Sequence, residues 1–110
     1  MINVTIYKNE RHACMGFTAI NHAGYAEAGE DIVCAGASML MINTMNAIER
    51  YTEDETSQVS NEEEALIDYR FKTVPGHDAE LLLKAMILGL EELADNEDYE
   101  DYITITFEEV

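Results

Sequence analysis

The segment from Ile32 to Ile42 constrains the fold more than any other part of the chain. Its sequence, IVCAGASMLMI, predicts a helix that begins after Asp31, runs to about Tyr51, and is apolar on nearly every side along this stretch. A helix of this kind is buried on more than one face. A β-sheet can cover one face, so we expect a partner subunit or a substrate to cover another.

Short segments with alternating apolar and polar residues surround this helix in the sequence. They predict five strands, at positions 2–7, 14–20, 57–60, 67–71 and 103–107. A second, amphipathic helix is predicted over positions 79–95, with Asp78 as its N-cap. The order is therefore ββαββαβ. Three strands carry one polar face each, which favours an α+β fold with a mainly antiparallel five-stranded sheet and two helices, although the apolar first helix leaves open whether both lie on one face.

Length and charge limit the classes of protein to consider. The 110 residues correspond to a single domain over positions 1–110, and a hydrophobic content of 47% predicts that it folds. With 23 acidic residues against 6 Lys and Arg, the formal net charge is −17. Nucleic acid is a poor partner for this surface, whereas a basic protein or peptide is a better one.

The first residues and the apolar stretches predict the cellular compartment, and the compartment predicts the state of the cysteines. The apolar stretches look too short and too interrupted to cross a bilayer. The first residues contain no basic leader and no cleavage-site pattern, which predicts a cytoplasmic protein. In that compartment Cys14 and Cys34 are expected to be free thiols.

Cys34 is placed where a helix can activate a thiol. With Asp31 as the N-cap, it occupies the third helical position. The positive end of the helix dipole is expected to lower the pKa of the thiol there, and free N–H groups of the first turn are expected to hold an oxyanion.

The residues before this helix supply a potential proton carrier. His22 follows the second strand and begins a loop of small residues with Gly24 and Gly29 as pivots, so that its imidazole can exchange a proton with Cys34. Asp31 has two interpretations, helix cap or partner that orients His22, and the cap is favoured. Ser38 lies one turn after Cys34 and can face the site or bond a backbone carbonyl.

The same stretch resembles a known family. The residues His22-Ala23-Gly24-Tyr25, then Gly29-Glu30-Asp31-Ile32-Val33-Cys34-Ala35, and then Ser38, are similar to the pattern of the ribosomal-processing cysteine protease family called Prp, and the likeness extends over the whole chain. The family's histidine matches His22 and its nucleophile matches Cys34. Its aspartate and serine match Asp31 and Ser38. Two positions depart from the pattern, because Asn21 and Gly36 stand where the family usually has Gly and Ala.

The resemblance implies a cysteine protease that removes a short N-terminal extension, ending in an aromatic-rich stretch, from a large-subunit ribosomal protein. It also implies a homodimer, which would cover the surplus apolar face of the first helix. Substrate is expected along the loop that contains Gly24, Tyr25 and Gly29. No cofactor and no metal are implied, and neither nucleic acid nor a membrane is expected as a partner.

Several other interpretations are open at this point. His12, Cys14, His22 and Cys34 are potential zinc ligands, but their spacing matches no paired-ligand pattern. The acidic segment 95–101 is rich in oxygen ligands but lacks the glycine and distal Glu of an EF-hand, and it is either a solvated rim or a patch that attracts a basic protein. Met39, Met41 and Met45, at helical spacing, fit a core, a groove for an apolar peptide or a dimer interface, and the dimer interface is favoured. A non-catalytic, acidic ribosome-assembly or adaptor protein that binds a basic ribosomal protein is the alternative to an enzyme.

Overall fold

The chain folds into a five-stranded mixed sheet with two helices. In this computed structural model, which describes residues 1–27 and 31–110, the elements are β1 (Ile2–Lys8), β2 (Cys14–Ile20), α1 (Ile32–Tyr51), β3 (Thr56–Asn61), β4 (Leu66–Phe71), α2 (His77–Asp95) and β5 (Ile103–Glu109). The strand order across the sheet is β3-β4-β2-β1-β5. Among the strand pairs of the described residues only β1–β5 is parallel, so the predicted ββαββαβ order and mainly antiparallel sheet are confirmed.

One hydrophobic core lies between the sheet and both helices. Ile2, Val4 and Ile6 of β1 are buried, whereas the residues between them are partly exposed. The buried residues of α1 and α2 belong to the same cluster as these inward-facing strand residues. Both helices therefore pack on one face of the sheet, and the other face carries the polar residues of the alternating pattern.

The start of α2 differs from the prediction. The helix begins at His77 with Gly76 as its N-cap, and no side chain caps it. Asp78, the predicted cap, lies in the first turn, where its carboxylate is 3.1 Å from the Nδ1 atom of His77. The Gly76 N–H instead donates to the Asp54 carboxylate at 2.8 Å, so a residue from the α1–β3 connection fixes the entry to this helix.

Helix α1 corrects two predictions about its apolar residues. The sequence predicts that no apolar stretch is long enough to cross a bilayer, but α1 is long and apolar enough by length and composition alone. In the fold, however, its residues Val33, Ala37 and Ile48 are buried in the core. Met41 and Met45 are buried there as well, so the interpretation of these two as dimer-interface residues is wrong. Met39 faces outward and is 69% exposed.

An exposed apolar stripe remains on α1. It consists of Ile32, Ala35, Met39 and Ile42, all of which are exposed. Their spacing of three, four and three residues places them on one side of the helix. This α1 stripe is the surplus apolar face that the sequence predicts, and Ala35 brings it to the edge of the cleft described next.

Candidate active site

A cleft of about 590 Å³ lies at the start of α1. The segment after β2 forms one side of it, and the first turns of α1 form the other. The lining residues are His22, Gly24, Ala26, Asp31, Cys34, Ala35 and Ser38. The fold thus brings together the four residues that the sequence suggests for chemistry, together with Gly24 of the predicted loop.

Asp31 is the N-cap of α1, as predicted. Its Oδ1 atom accepts hydrogen bonds from the N–H groups of Val33 and Cys34, both at 3.0 Å, and its Oδ2 atom accepts one from the Tyr25 N–H at 3.1 Å. Burial by itself would raise the pKa of this carboxyl group, but hydrogen bonds from Cys34, Tyr25 and Ala26 outweigh it and lower the pKa. Asp31 is therefore a carboxylate at neutral pH, and among the described residues it makes no hydrogen bond to His22.

This cap changes the expected role of the helix start. The N–H groups of Val33 and Cys34, which the sequence suggests for an oxyanion, are already occupied by the Asp31 carboxylate. The Ala35 N–H bonds the Asp31 carbonyl oxygen at 3.0 Å. Two first-turn donors, those of Val33 and Cys34, are therefore not free for an oxyanion, because the capping side chain that begins the helix accepts their hydrogen bonds.

The thiol of Cys34 is partly buried in the cleft. The backbone N–H of Ala23 donates to its Sγ atom at 3.1 Å. Burial raises the pKa of the thiol; the Ala23 N–H lowers it, and the nearby Asp31 carboxylate raises it again, so that the net change is upward. The direction is opposite to the lowered pKa expected from the helix dipole, because burial, the largest effect, and the Asp31 carboxylate at the same helix end both raise the pKa of the thiol.

His22 shares the cleft with Cys34. The side chain is exposed, and no hydrogen bond joins its ring to Cys34 among the hydrogen bonds of the described residues. Its backbone carbonyl accepts a hydrogen bond from the amine of Met1 at 3.0 Å, which ties this point of the chain to the start of β1. A loose arrangement of base and nucleophile is common before substrate binds.

The residues on both sides of His22 and Ala23 have left-handed backbone. Asn21 has φ +74° and Gly24 has φ +75°. Gly and Asn are the residues that adopt this conformation most readily. Asn21 is therefore compatible with a position where the family usually has Gly.

Of the other predicted site residues, one lines the cleft and one does not, and the third lies outside the described residues. Ser38 lines the cleft one turn beyond Cys34, as predicted. Gly29 lies outside the described residues. Tyr25 is not among the residues that line the cleft; its ring packs against Tyr99 and Tyr102 instead.

Sequence reasoning missed three residues around the site, Ala23, Tyr99 and Tyr102. Ala23 acts through its backbone N–H, for which its side chain gives no signal. Tyr99 and Tyr102 come from a distant part of the chain and fit the strand and loop patterns equally well without a role.

The zinc and calcium interpretations receive no support from the fold. Cys14 is buried in the core, and His12 lines a different cavity beside Lys8 and Phe107. Within residues 1–27 and 31–110, no three His, Cys, Asp or Glu side chains come close enough together to hold a metal ion.

A thiol and an imidazole that face one peptide-sized cleft are the groups used by thiol-dependent hydrolases. Comparison with known proteins specifies the class further. The sequence model of the family described as "Cysteine protease Prp" matches residues 1–104. The chain belongs to this family of cysteine proteases.

Relatives in two bacteria match nearly the whole chain. The ribosomal processing cysteine protease Prp of Bacillus subtilis is 28% identical over 110 residues, which cover 96% of each chain. The crystal structure of the essential ribosomal processing protease Prp from S. aureus with a covalently linked product peptide has a TM-score of 0.91 at 28% identity and covers 98% of this chain and 100% of that one. The same protease with a substrate peptide has a TM-score of 0.86 at 27% identity, with the same coverage.

Proposed function

We propose that this protease cleaves a short N-terminal extension from a large-subunit ribosomal protein, with Cys34 as nucleophile and His22 as general base and acid. The observation that carries the proposal is the cleft that both side chains line in a chain of the Prp family. The S. aureus relative is a ribosomal processing protease that binds substrate and product peptides. A basic, peptide-like substrate without nucleic acid fits the net charge of −17. A cytoplasmic location is part of the proposal, because ribosomal proteins are its substrates.

Because the pKa of Cys34 is raised, the first role of His22 is that of a general base. The thiol is mostly neutral near pH 7, so attack on the scissile carbonyl requires a base to take the Sγ proton. His22 takes this proton and transfers it to the departing amine, which leaves a thioester on Cys34. Water then attacks the thioester, with His22 again as the base, and the free thiol is restored.

The negative charge that forms during these steps needs a donor. The Ala23 N–H already points to Sγ and stabilises the thiolate as it develops. Because the N–H groups of Val33 and Cys34 are bonded to Asp31, the Ala23 N–H, which already contacts Sγ, is our candidate donor for the oxyanion. Asp31 acts as cap and loop anchor, and the Ser38 hydroxyl provides a polar contact for substrate in the cleft.

A cleavage assay tests the assignment of the nucleophile. A peptide spanning a ribosomal-protein N-terminal extension is incubated with wild type, Cys34→Ala and Cys14→Ala, and products are identified by mass. Cys34→Ala and His22→Ala are each expected to reduce kcat/KM by about 10³-fold or more. Cys14→Ala is the matched control, because Cys14 is buried in the core away from the cleft.

Two outcomes would contradict the proposal. Cleavage that survives in Cys34→Ala would exclude this thiol as the nucleophile. Binding of the peptide without cleavage by the wild type would favour the acidic adaptor or a different substrate.

We also propose that a second copy of this chain covers the α1 stripe, Ile32, Ala35, Met39 and Ile42. The stripe exposes large apolar side chains in a row, of which Ile32 is 53% and Ile42 46% exposed. Contiguous apolar patches of this kind mark protein contacts. Because Ala35 belongs to the stripe and also lines the cleft, a partner on the stripe would lie close to each active site.

The oligomeric state tests this proposal. Light scattering after size exclusion is expected to give a dimer for wild type and a monomer for Met39→Glu, because a buried unpaired carboxylate is costly. Val59→Glu is the matched control, since Val59 is 60% exposed on β3 and pairs with Asp68 on the sheet face away from both helices. A monomeric wild type, or a Met39→Glu variant that remains dimeric, would contradict the proposal.

A further inference from the structure

The segment 22–27, which carries His22 into the cleft, rests on the connection between α2 and β5. Its contact is the ring of Tyr25. The ring centroid lies 5.0 Å from that of Tyr102 at an interplanar angle of 83°, and 5.6 Å from that of Tyr99 at 70°. Both contacts are edge-to-face, the arrangement that aromatic quadrupoles favour.

The two rings that receive Tyr25 belong to a firmly held part of the molecule. The Tyr99 N–H donates to the Asn96 carbonyl at 2.9 Å, and the Tyr102 N–H donates to the Tyr99 carbonyl at 2.9 Å. The Ile2 N–H donates to the Tyr102 carbonyl at 2.9 Å, which fixes Tyr102 to β1. Both tyrosines also pack against the hydrophobic core.

The backbone next to Tyr25 makes the contacts of the active site. The Tyr25 N–H donates to Asp31 at 3.1 Å, and two residues earlier the Ala23 N–H donates to Cys34 Sγ at 3.1 Å. Gly24 lies between them with φ +75°. Glycine adopts positive and negative φ about equally readily, so Gly24 does not fix the path of the backbone by itself.

On its N-terminal side Ala23 is held by its own burial in the core and by the bond of the His22 carbonyl to the Met1 amine. On its C-terminal side, the orientation of its backbone depends on what holds Tyr25.

We propose that Tyr99 and Tyr102 are positioning residues that hold Tyr25, and through it hold the Ala23 N–H at Cys34 and the segment 22–27 as one wall of the cleft. The proposal rests on the proposed role of Cys34. Without the two rings, the Tyr25 side chain loses both of its aromatic contacts, and the backbone there is held by the hydrogen bonds of Tyr25 and Ala26 to Asp31. The wall then samples other positions, and the thiol becomes more accessible.

The aromatic rings, not the hydroxyl groups, carry this function. Among the residues that the structure describes, none of the hydroxyls of Tyr25, Tyr99 and Tyr102 makes a hydrogen bond, whereas the Tyr7 hydroxyl does, to Thr18 at 3.2 Å. Phenylalanine retains the ring contacts and alanine removes them. A Tyr→Phe variant is therefore expected to restore what the Tyr→Ala variant loses.

The experiment measures cleavage and thiol accessibility in the same variants. Tyr25→Ala, Tyr102→Ala and Tyr102→Phe are compared with Tyr51→Ala, a control at the end of α1 where the side chain is 71% exposed. Peptide cleavage gives kcat and KM. Alkylation by iodoacetamide without substrate, mapped by mass to Cys34 and Cys14, gives the accessibility of each thiol.

The proposal predicts opposite changes in the two measurements. Tyr25→Ala and Tyr102→Ala are expected to lower kcat/KM about tenfold and to speed alkylation of Cys34 about tenfold, the size expected from losing one or two aromatic contacts. Cys14, 2% exposed in the core, is expected to react at its wild-type rate, because the fold itself is intact. Tyr102→Phe and Tyr51→Ala are expected to behave as wild type.

Other outcomes distinguish a failure of this proposal from a failure of the proposed role of Cys34. Unchanged alkylation and cleavage in Tyr25→Ala would overturn it, as would alkylation of Cys14 rising together with that of Cys34, which indicates loosening of the whole fold. If Cys34→Ala retains cleavage, the proposed nucleophile is wrong. The alkylation rates still report whether Tyr99 and Tyr102 position the segment, since they need no substrate.

Discussion

At the scale of single residues, Asp31 connects the stability of the protein with its active site. The side chain is 8% exposed and accepts hydrogen bonds from the start of α1 and from Tyr25. Because these bonds lower its pKa relative to the unfolded chain, they stabilise the native state above the unfolded pKa, and that stabilisation is lost as the pH falls through the lower native value.

We expect Asp31→Asn to lower the free energy of unfolding by about 1–2 kcal/mol at pH 7. The difference from wild type should shrink as the pH falls below about 4, since the wild-type carboxyl group is then protonated in the unfolded chain and begins to protonate in the native one. Urea unfolding of both proteins from pH 7 down to pH 3 measures it. A difference that stays constant over this range would show that the charge of Asp31 contributes nothing.

At the scale of elements, two glycines illustrate opposite packing constraints. Gly36 lies in α1, and a Cβ there would meet Leu93 Cδ1 at 3.6 Å, an ordinary contact. Gly16 lies in β2 with φ +150°, and a Cβ there would collide with the backbone carbonyl of Tyr69 in β4. The departure from the family's usual Ala at position 36 is therefore a matter of helix propensity, whereas Gly16 is required by the pairing of β2 with β4.

We expect Gly36→Ala to raise the free energy of unfolding by about 0.5–1 kcal/mol, because alanine restricts the unfolded chain and favours the helix. Gly16→Ala is the opposing variant and is expected to lower it by about 1–3 kcal/mol through overpacking and backbone strain. Thermal and urea unfolding of the two variants provide the comparison. A destabilised Gly36→Ala would indicate that α1 and α2 pack more closely than the 3.6 Å contact implies.

At the scale of the whole molecule, the net charge of −17 opposes folding. Ion pairs offset little of it, because the pairs found among the described residues are Arg70–Asp68, which is partly exposed, and His77–Asp78, which is exposed. Self-repulsion of this kind is screened by salt.

The melting temperature is therefore expected to rise when ionic strength increases from about 0.01 M to about 0.15 M, over which the Debye length falls from about 30 Å to about 8 Å. Replacing Glu97 and Asp98 by Gln and Asn removes two charges from the acidic segment and should reduce the rise. Differential scanning calorimetry in NaCl measures both proteins. A melting temperature that does not depend on salt would mean that the acidic residues lie too far apart to repel one another.

The local elements were largely predictable because their signals are local. Alternation along β1 and the Asp31 cap of α1 depend on neighbouring residues, and the structure confirms both. The cap of α2 was not predictable in the same way. Asp78 has the right residue type for a cap, but Asp54, from another part of the chain, binds the Gly76 N–H instead.

The sequence by itself determined the elements, their order and the residues available for chemistry, since these follow from side-chain periodicity, capping and the family pattern around His22 and Cys34. Only the tertiary structure decided the environment of those residues. It occupies the helix-start donors with Asp31, raises the pKa of Cys34 and brings Tyr25 against Tyr99 and Tyr102. Burial, charge proximity and ring contacts arise between distant segments, so no local pattern encodes them.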